Sequence, residues 1–482
     1  MRGRAGRVGT FALASGLVLV LAAVAFGGLY ATGRIPGGLF DDAAPTPAQS
    51  VPQSSPSPAP TPAGPVLAPA AAPAGGGGAG LDETLLDDPD LGGDPGAYLV
   101  DVGTGEVLLD RDAGTARTPA SVAKLLTAAG ALVALGATER LQTRTVVGAD
   151  PREVVLVGGG DTTLTVRPPR EPAYPRPASL TDLADATAAK LRLGGLVSVT
   201  VRVDDSLFTG PAVSPDWEPS YVPGGEVSPV SALTVDAGRI RPGAPERVGA
   251  PAVRAGELFA DLLSRRGLTV TAAVTRAAAP SAAEVIASVT SPQMSVLVES
   301  MLATSDDDLA ESLFRLVAAG QGGPATFDGG RAAVTDVLVD LGVPTDGLRL
   351  LDGSGLARGS LIAPETLGAL LSLAATTADP DLAGLRSLVT GLPVAGFSGT
   401  LAERFGPDGA REGAGVVRAK TGTLTGVSSL AGVVTTGAGN GGASGARVLA
   451  FSVMSDDVAA ADTLGARDAL DRIVASLAGP DG

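Results

Sequence analysis

The 482-residue chain contains no histidine and no cysteine. Without histidine there is no Ser-His-Asp triad, and no imidazole to ligate a metal. Without cysteine there is no thiol nucleophile, no disulfide and no thiolate zinc site. A carboxylate site for a hard cation is the metal chemistry left open. Aromatic residues make up only 3% of the chain, so a core has to be packed mainly from Ala, Val and Leu. Lysine is scarce too. Of 35 basic side chains, only Lys124, Lys190 and Lys420 are lysines. Arginine fills the ordinary surface role, so each lysine poses a chemical question. Lysine loses its proton when desolvated or set beside another cation, and arginine effectively does not. The formal net charge of −16 argues against a nucleic-acid partner, which demands a basic face. Its ordinary reading is solubility.

What is present divides the chain unevenly. Arg2, Arg4 and Arg7 precede an apolar run from about Phe11 to Ala31. That run is long enough to cross a hydrocarbon core of roughly 30 Å, and the arginines predict an inside N-terminus. Residues 1–9 are therefore expected to be cytoplasmic, with 10–31 a retained membrane anchor. A cleaved signal segment, which would leave the protein secreted, is the rival reading. Residues 32–80 are rich in Pro, Ala and Gly and read as a semi-extended linker. Folded sequence is expected from about Leu81. Strand-like stretches surround Gly103-Thr-Gly105, then recur at 145–147, 154–157, 197–203, 416–421, 429–434 and 448–454. Helical periodicity marks 121–135, 255–265, 294–301, the segment after Asp308, and 457–477.

Three motifs carry chemistry. In Ser121-Val-Ala-Lys124 the serine and lysine are three apart, on one helix face. At a helix start the Ser121 N–H has no helical partner and can face an oxyanion. A neutral Lys124 can take the hydroxyl proton. In Lys420-Thr-Gly-Thr423 the lysine is a second cation that lowers the proton affinity of Lys124 and attracts a substrate carboxylate. Thr421 adds a hydroxyl, Gly422 lets substrate approach the strand, and the Thr423 N–H is a second oxyanion donor. In Ser305-Asp-Asp307 a second serine stands ready to relay a proton near Lys124. Asp306, Asp307 and Asp308 otherwise read as a solvated helix start. Gly353-Ser-Gly355 and Phe397-Ser-Gly399 lack a full nucleophile elbow and receive no role.

The set Ser-x-x-Lys, Ser-x-Asn and Lys-Thr-Gly resembles that of penicillin-binding proteins and serine β-lactamases. Two of the three lysines fall in the two lysine-bearing motifs. Ser121 and Ser305 stand 184 positions apart, longer than a β-lactamase resemblance implies, and Ser305 and Lys420 stand 115 apart. The chain is therefore most similar to the D-alanyl-D-alanine carboxypeptidase/endopeptidase family, the class C type-4 penicillin-binding proteins, in an actinobacterial form. Leu156–Asp161, Val203–Phe208, Trp217–Tyr221, Asp352–Leu356 and Leu392–Gly396 add to the likeness.

That resemblance implies an α/β (α+β) fold in which an antiparallel sheet flanked by helices forms a transpeptidase-like domain from 81–146 and 286–482. A second domain is inserted over 147–285. It implies a hydrolase in which Ser121 attacks a D-Ala-D-Ala carbonyl of a peptidoglycan stem peptide. Lys124 takes the proton, and Ser305 helps return it to the leaving group. Lys420 and Thr421 bind the terminal carboxylate, the amides of Ser121 and Thr423 bind the oxyanion, and water releases the acyl group. β-Lactam antibiotics are expected ligands, and no cofactor is required. The expected location is the cell membrane, with the catalytic domain outside.

One position departs from the pattern. Asp307 stands where asparagine is expected, and an ionised carboxylate only accepts hydrogen bonds. Beside Lys124 it favours the ammonium and opposes the base role. A catalytically weak or inactive, membrane-tethered peptidoglycan-binding homologue is the alternative function that follows. A β-lactamase is the third reading.

Overall fold

The computed structural model describes residues 83–406, 409–436 and 447–478. The expected anchor over 10–31 and linker over 32–80 lie outside the described residues. Among those residues, no helix is long and apolar enough to cross a membrane.

Alternating side chains build the first sheet. Its strands are β1 (Gly96–Asp101) and β2 (Val107–Arg111) near the start of the chain, with three more near its end. The second sheet takes β3 (Arg140–Val147), β4 (Glu153–Val157), β5 (Ser198–Asp204), β6 (Thr269–Val270), β7 (Thr275–Arg276) and β8 (Val285–Gln293). The late strands of the first sheet are β9 (Val417–Leu424), β10 (Val427–Thr436) and β11 (Arg447–Ser455). The first sheet runs β2-β1-β11-β10-β9 and is antiparallel throughout. Leu99, Leu430, Val434, Leu449 and Phe451 face one side, while Val100, Ala431, Val433 and Ala450 face the other. That is the two-residue period of a sheet buried on both faces. Gly426, at φ +79°, turns β9 back into β10.

Helices fill both sides. They are α1 (Lys124–Ala131), α2 (Leu180–Leu193), α3 (Pro251–Ser264), α4 (Met294–Thr304), α5 (Asp307–Gly320), α6 (Phe327–Asp340), α7 (Pro364–Thr376) and α8 (Thr463–Ser476). One core joins α1, α4, α5, α6 and α7 to one face of the first sheet, and α8 covers the other. The second sheet draws every strand from residues 140–293 and packs α2 and α3 over a core of its own. It is mixed, because β4 and β5 run parallel.

The helix expected over 121–135 covers that stretch but changes character along it, α1 passing directly into a π-helical segment, Leu132–Gly136. Ser121 lies in a 3₁₀ turn, Ala120–Ala123, and the α-helix begins at Lys124. The final helix begins at Thr463 rather than near residue 457. α5 lies at the centre, buried all round from Asp308 to Ala318. Its polar residues therefore face protein rather than water. Ser312 Oγ donates to the Gly160 carbonyl at 2.5 Å. Arg315 donates to the carbonyls of Thr209 and Pro211, and its guanidinium lies 4.3 Å from the ring centre of Phe327.

Candidate active site

The chain turns sharply into Ser121. Ala120 has φ +49°, a left-handed conformation unusual for alanine. Two glycines make room for this turn. A side chain on Gly355 would collide with the Ala120 carbonyl, and one on Gly422 would sit 2.6 Å from the Pro119 carbonyl oxygen. Gly422 belongs to β9, the edge strand of the first sheet, so the turn bearing Ser121 presses directly onto the third motif.

Lys124 is completely buried. Its Nζ lies 3.0 Å from Ser121 Oγ, 2.6 Å from Asp307 Oδ1 and 2.8 Å from the Ser354 carbonyl oxygen. An ammonium has three hydrogens, and three acceptors surround this one. The first motif thus meets Asp307 as an ion pair, the contact its sequence position warned of.

Ser305 is the left-handed residue (φ +57°) that closes α4. Asp306 caps α5 by accepting the Leu309 N–H at 2.9 Å. The corner between the two helices aims Ser305 Oγ at Lys420 Nζ, 2.9 Å away. The hydrogen bond of Ser305 is thus to the second lysine, Lys420. Lys420 is also completely buried and donates to the Thr421 carbonyl at 2.7 Å. Among the described residues it forms no ion pair. Burial, reinforced by the Lys124 cation, holds its amine well below the ordinary lysine range. Thr421 Oγ1 donates to Thr400 Oγ1 at 3.0 Å. Thr423 follows on the same strand, with its side chain exposed.

The solvated helix start expected for the three aspartates is also corrected. Asp308 is buried, accepts the Ser228 N–H at 2.7 Å and pairs with Arg247 at 3.1 Å. Burial, with Asp306 beside it, pushes its carboxyl up to about 7, and Arg247 opposes that rise. The start of α5 is covered by the loop carrying Ser228 and Arg247, which no local pattern announces.

Two further carboxylates were missed by sequence reasoning. Glu311 is fully buried and accepts the N–H groups of Gly353 (3.1 Å) and Ser354 (2.8 Å). Asp352, equally buried, accepts those of Gly355 (3.0 Å) and Ala357 (2.7 Å) and the Trp217 indole N–H (2.8 Å). Together they fix the loop whose Ser354 carbonyl meets Lys124. Thr127 Oγ1 adds a bond to the Gly353 carbonyl at 2.7 Å. Burial and the neighbouring Asp352 push the Glu311 carboxyl up to about 8. The available signal was the Gly-Ser-Gly loop itself, set aside because it lacks an elbow. Lys190, the remaining lysine, pairs with Glu284 in a partly exposed position far along the chain from these motifs. Among the described residues no group of carboxylates is arranged to hold a metal ion.

The arrangement offers a hydroxyl beside one amine, a second hydroxyl beside another, and an open strand edge between them. Comparison with known proteins agrees with this chemistry. The protein-family model described as D-Ala-D-Ala carboxypeptidase 3 (S13) matches residues 78–247 and 243–477. A carboxypeptidase of Mycobacterium tuberculosis is 38% identical over 396 residues, covering 81% of each chain. A D-alanyl-D-alanine carboxypeptidase of an Actinomadura species is 31% identical, covering 82% of this chain and 84% of the relative. The solved structure of penicillin-binding protein 4 from Haemophilus influenzae covers 79% of this chain and 95% of its own, with a TM-score of 0.64. At 22% identity, that likeness is one of fold.

Proposed function

Because the chain belongs to the D-Ala-D-Ala carboxypeptidase 3 (S13) family and is a penicillin-binding serine peptidase, we propose that Ser121 is its nucleophile and that two lysines divide the proton traffic. The observation that carries this reading is Lys124 Nζ at 3.0 Å from Ser121 Oγ. Lys124, once neutral, takes the hydroxyl proton as Ser121 Oγ bonds to the penultimate D-alanine carbonyl carbon. The amides of Ser121 and Thr423 receive the oxyanion. As the peptide C–N bond breaks, Ser305 gives the departing amine a proton and is resupplied through its contact with Lys420. Water then splits the ester: its hydroxyl joins the peptide acid, its proton passes through Ser305 to restore Lys420, and Lys124 returns the proton it holds to Ser121 Oγ. Lys420 and Thr421 hold the terminal carboxylate of the substrate. The ion pair with Asp307 must be loosened before Lys124 can act in the first step.

The substrate class is the stem peptide of peptidoglycan. The N-terminal arginines and apolar run support a membrane anchor over 10–31, with the catalytic domain outside. Labelled penicillin tests both parts. A covalent, hydroxylamine-sensitive adduct should map to Ser121 and vanish in Ser121→Ala. In fractionated cells the label should track the membrane pellet. No adduct after long incubation would remove the nucleophile assignment, and label in the medium would remove the anchor.

A further inference from the structure

Away from the catalytic cleft, the loop after β5 folds back on itself at one antiparallel bridge between Arg239 and Arg247. With the segment around Val166 and the amino end of α3, it encloses a cavity of about 520 Å³. That volume lies in the range of small-ligand sites. Its floor is apolar, from Val235, Val248 and Leu258. Its walls carry four arginines, Arg167, Arg239, Arg241 and Arg254, in a chain whose formal charge is −16.

Most of that positive charge is unspent. Arg239 donates to the Ala244 carbonyl, and Arg254 reaches Glu257 at 3.3 Å in an exposed pair. Such an exposed pair is worth little. Arg167 and Arg241 make no side-chain hydrogen bond or ion pair among the described residues. The single carboxylate of the lining is Asp236, which accepts the Val166 N–H at 3.2 Å. Burial raises its carboxyl above the usual range, which weakens it as a counter-ion.

The cavity wall is tied to the catalytic centre. Arg247 donates to the Ala237 carbonyl at 2.6 Å and pairs with Asp308 at 3.1 Å. Asp308 is next to Asp307, which holds Lys124. The arginine-lined wall therefore stands in fixed register with α5. Guanidinium forks match planar carboxylates in a bidentate way, and an apolar floor suits the aliphatic body of a peptide.

We propose that this cavity is a second binding site that holds a side-chain carboxylate of the wall polymer, on a stem peptide neighbouring the one being cleaved. The proposal rests on the reading of the protein as a hydrolase of peptidoglycan peptides. It is tested with full-length protein and two substrates, a single-stem D-Ala-D-Ala peptide and a multi-stem polymer fragment. Arg167→Ala combined with Arg241→Ala should lower kcat/KM on the polymer about tenfold, through KM. Turnover of the single-stem peptide and acylation by penicillin should not change. Arg241→Glu should give the larger loss. Amidating the side-chain carboxylates, with terminal D-alanine left free, should bring the parent protein down to the level of the variant. Equal polymer turnover by parent and double variant would overturn the proposal. So would a parent advantage that survives amidation, including one that follows phosphodiester content instead. If the hydrolase reading itself fails, the parent fails on the single-stem peptide, a distinct result.

Discussion

At the scale of the residue, the proposed mechanism makes Asp307 the position that sets how fast this site works. Its carboxylate lies 2.6 Å from the amine that must accept a proton. Asp307→Asn removes that charge and keeps the shape, so acylation by penicillin at pH 7 should rise, by on the order of tenfold. Stopped-flow acylation rates measure this, and an unchanged or lower rate would refute the account. Lys420 makes the opposite demand, because it must be charged to hold a carboxylate. Its amine is held well below the ordinary range by burial and by Lys124. Binding a substrate carboxylate should therefore draw in a proton, and KM should rise as pH rises through the lowered range of that amine. A pH-independent KM for a carboxylate-bearing peptide, set against a steady fold, would contradict it. These residues were legible in the sequence because acyl transfer without histidine leaves few ways to activate a serine. Glu311 and Asp352 were not legible. A glutamate on an amphipathic helix looks like a solvent-facing residue until the loop that covers it is known. The Ser354 carbonyl that meets Lys124 is a backbone group, and backbone groups carry no residue signature.

At the scale of the element, the site is made by pressing one backbone against another. The 3₁₀ turn of Ser121 lies between the Gly353–Gly355 loop and β9, with no side chain at Gly355 or Gly422 to hold them apart. Gly422→Ala places a methyl 2.6 Å from the Pro119 carbonyl oxygen and 3.2 Å from the Ser121 nitrogen. Neither backbone group can yield cheaply, so β9 must shift away from the nucleophile. Penicillin acylation should fall by about a hundredfold or more. Circular dichroism should show an intact fold, because β9 is only an edge strand. Near-parental acylation would refute the tight apposition of turn and strand as the basis of the site. The strands and helices were found in sequence where periodicity was strong, as in β10 and α3. The paired start of α5 was misread as solvated because Arg247 and Ser228, which cover Asp308, lie 61 and 80 positions away.

At the scale of the whole molecule, the absence of histidine gives the pH dependence of stability an unusual source. Displaced carboxyls dominate between pH 5 and 8. Burial pushes Asp161 up to about 6, and burial with Asp352 pushes Glu311 up to about 8. Below about pH 4 such groups are protonated in both the folded and unfolded chains and have no effect on stability. As pH rises the unfolded chain ionises first, and stability falls until the folded groups follow near pH 6 to 8. Asp185, held low by Arg266, acts the other way but only at acid pH, and Lys420, held low by burial and by Lys124, acts the other way as pH rises through its lowered range. Tm should therefore drop by on the order of 5 °C between pH 5 and pH 8. A Tm that is flat or rising across that interval would exclude this source. The pairing of β1 with β11 has a different consequence, in time. Gly96 lies opposite Met454, so the strand that opens the catalytic sheet can pair early with β2 but has no partner on its other side until almost the whole chain is made. Residues 140–293 can close their own sheet well before that. Long-range pairing of this kind is slow to form. A chain growing from the N-terminus would therefore carry a finished second sheet and an unfinished nucleophile, and it would become reactive towards penicillin only after its last strand arrives.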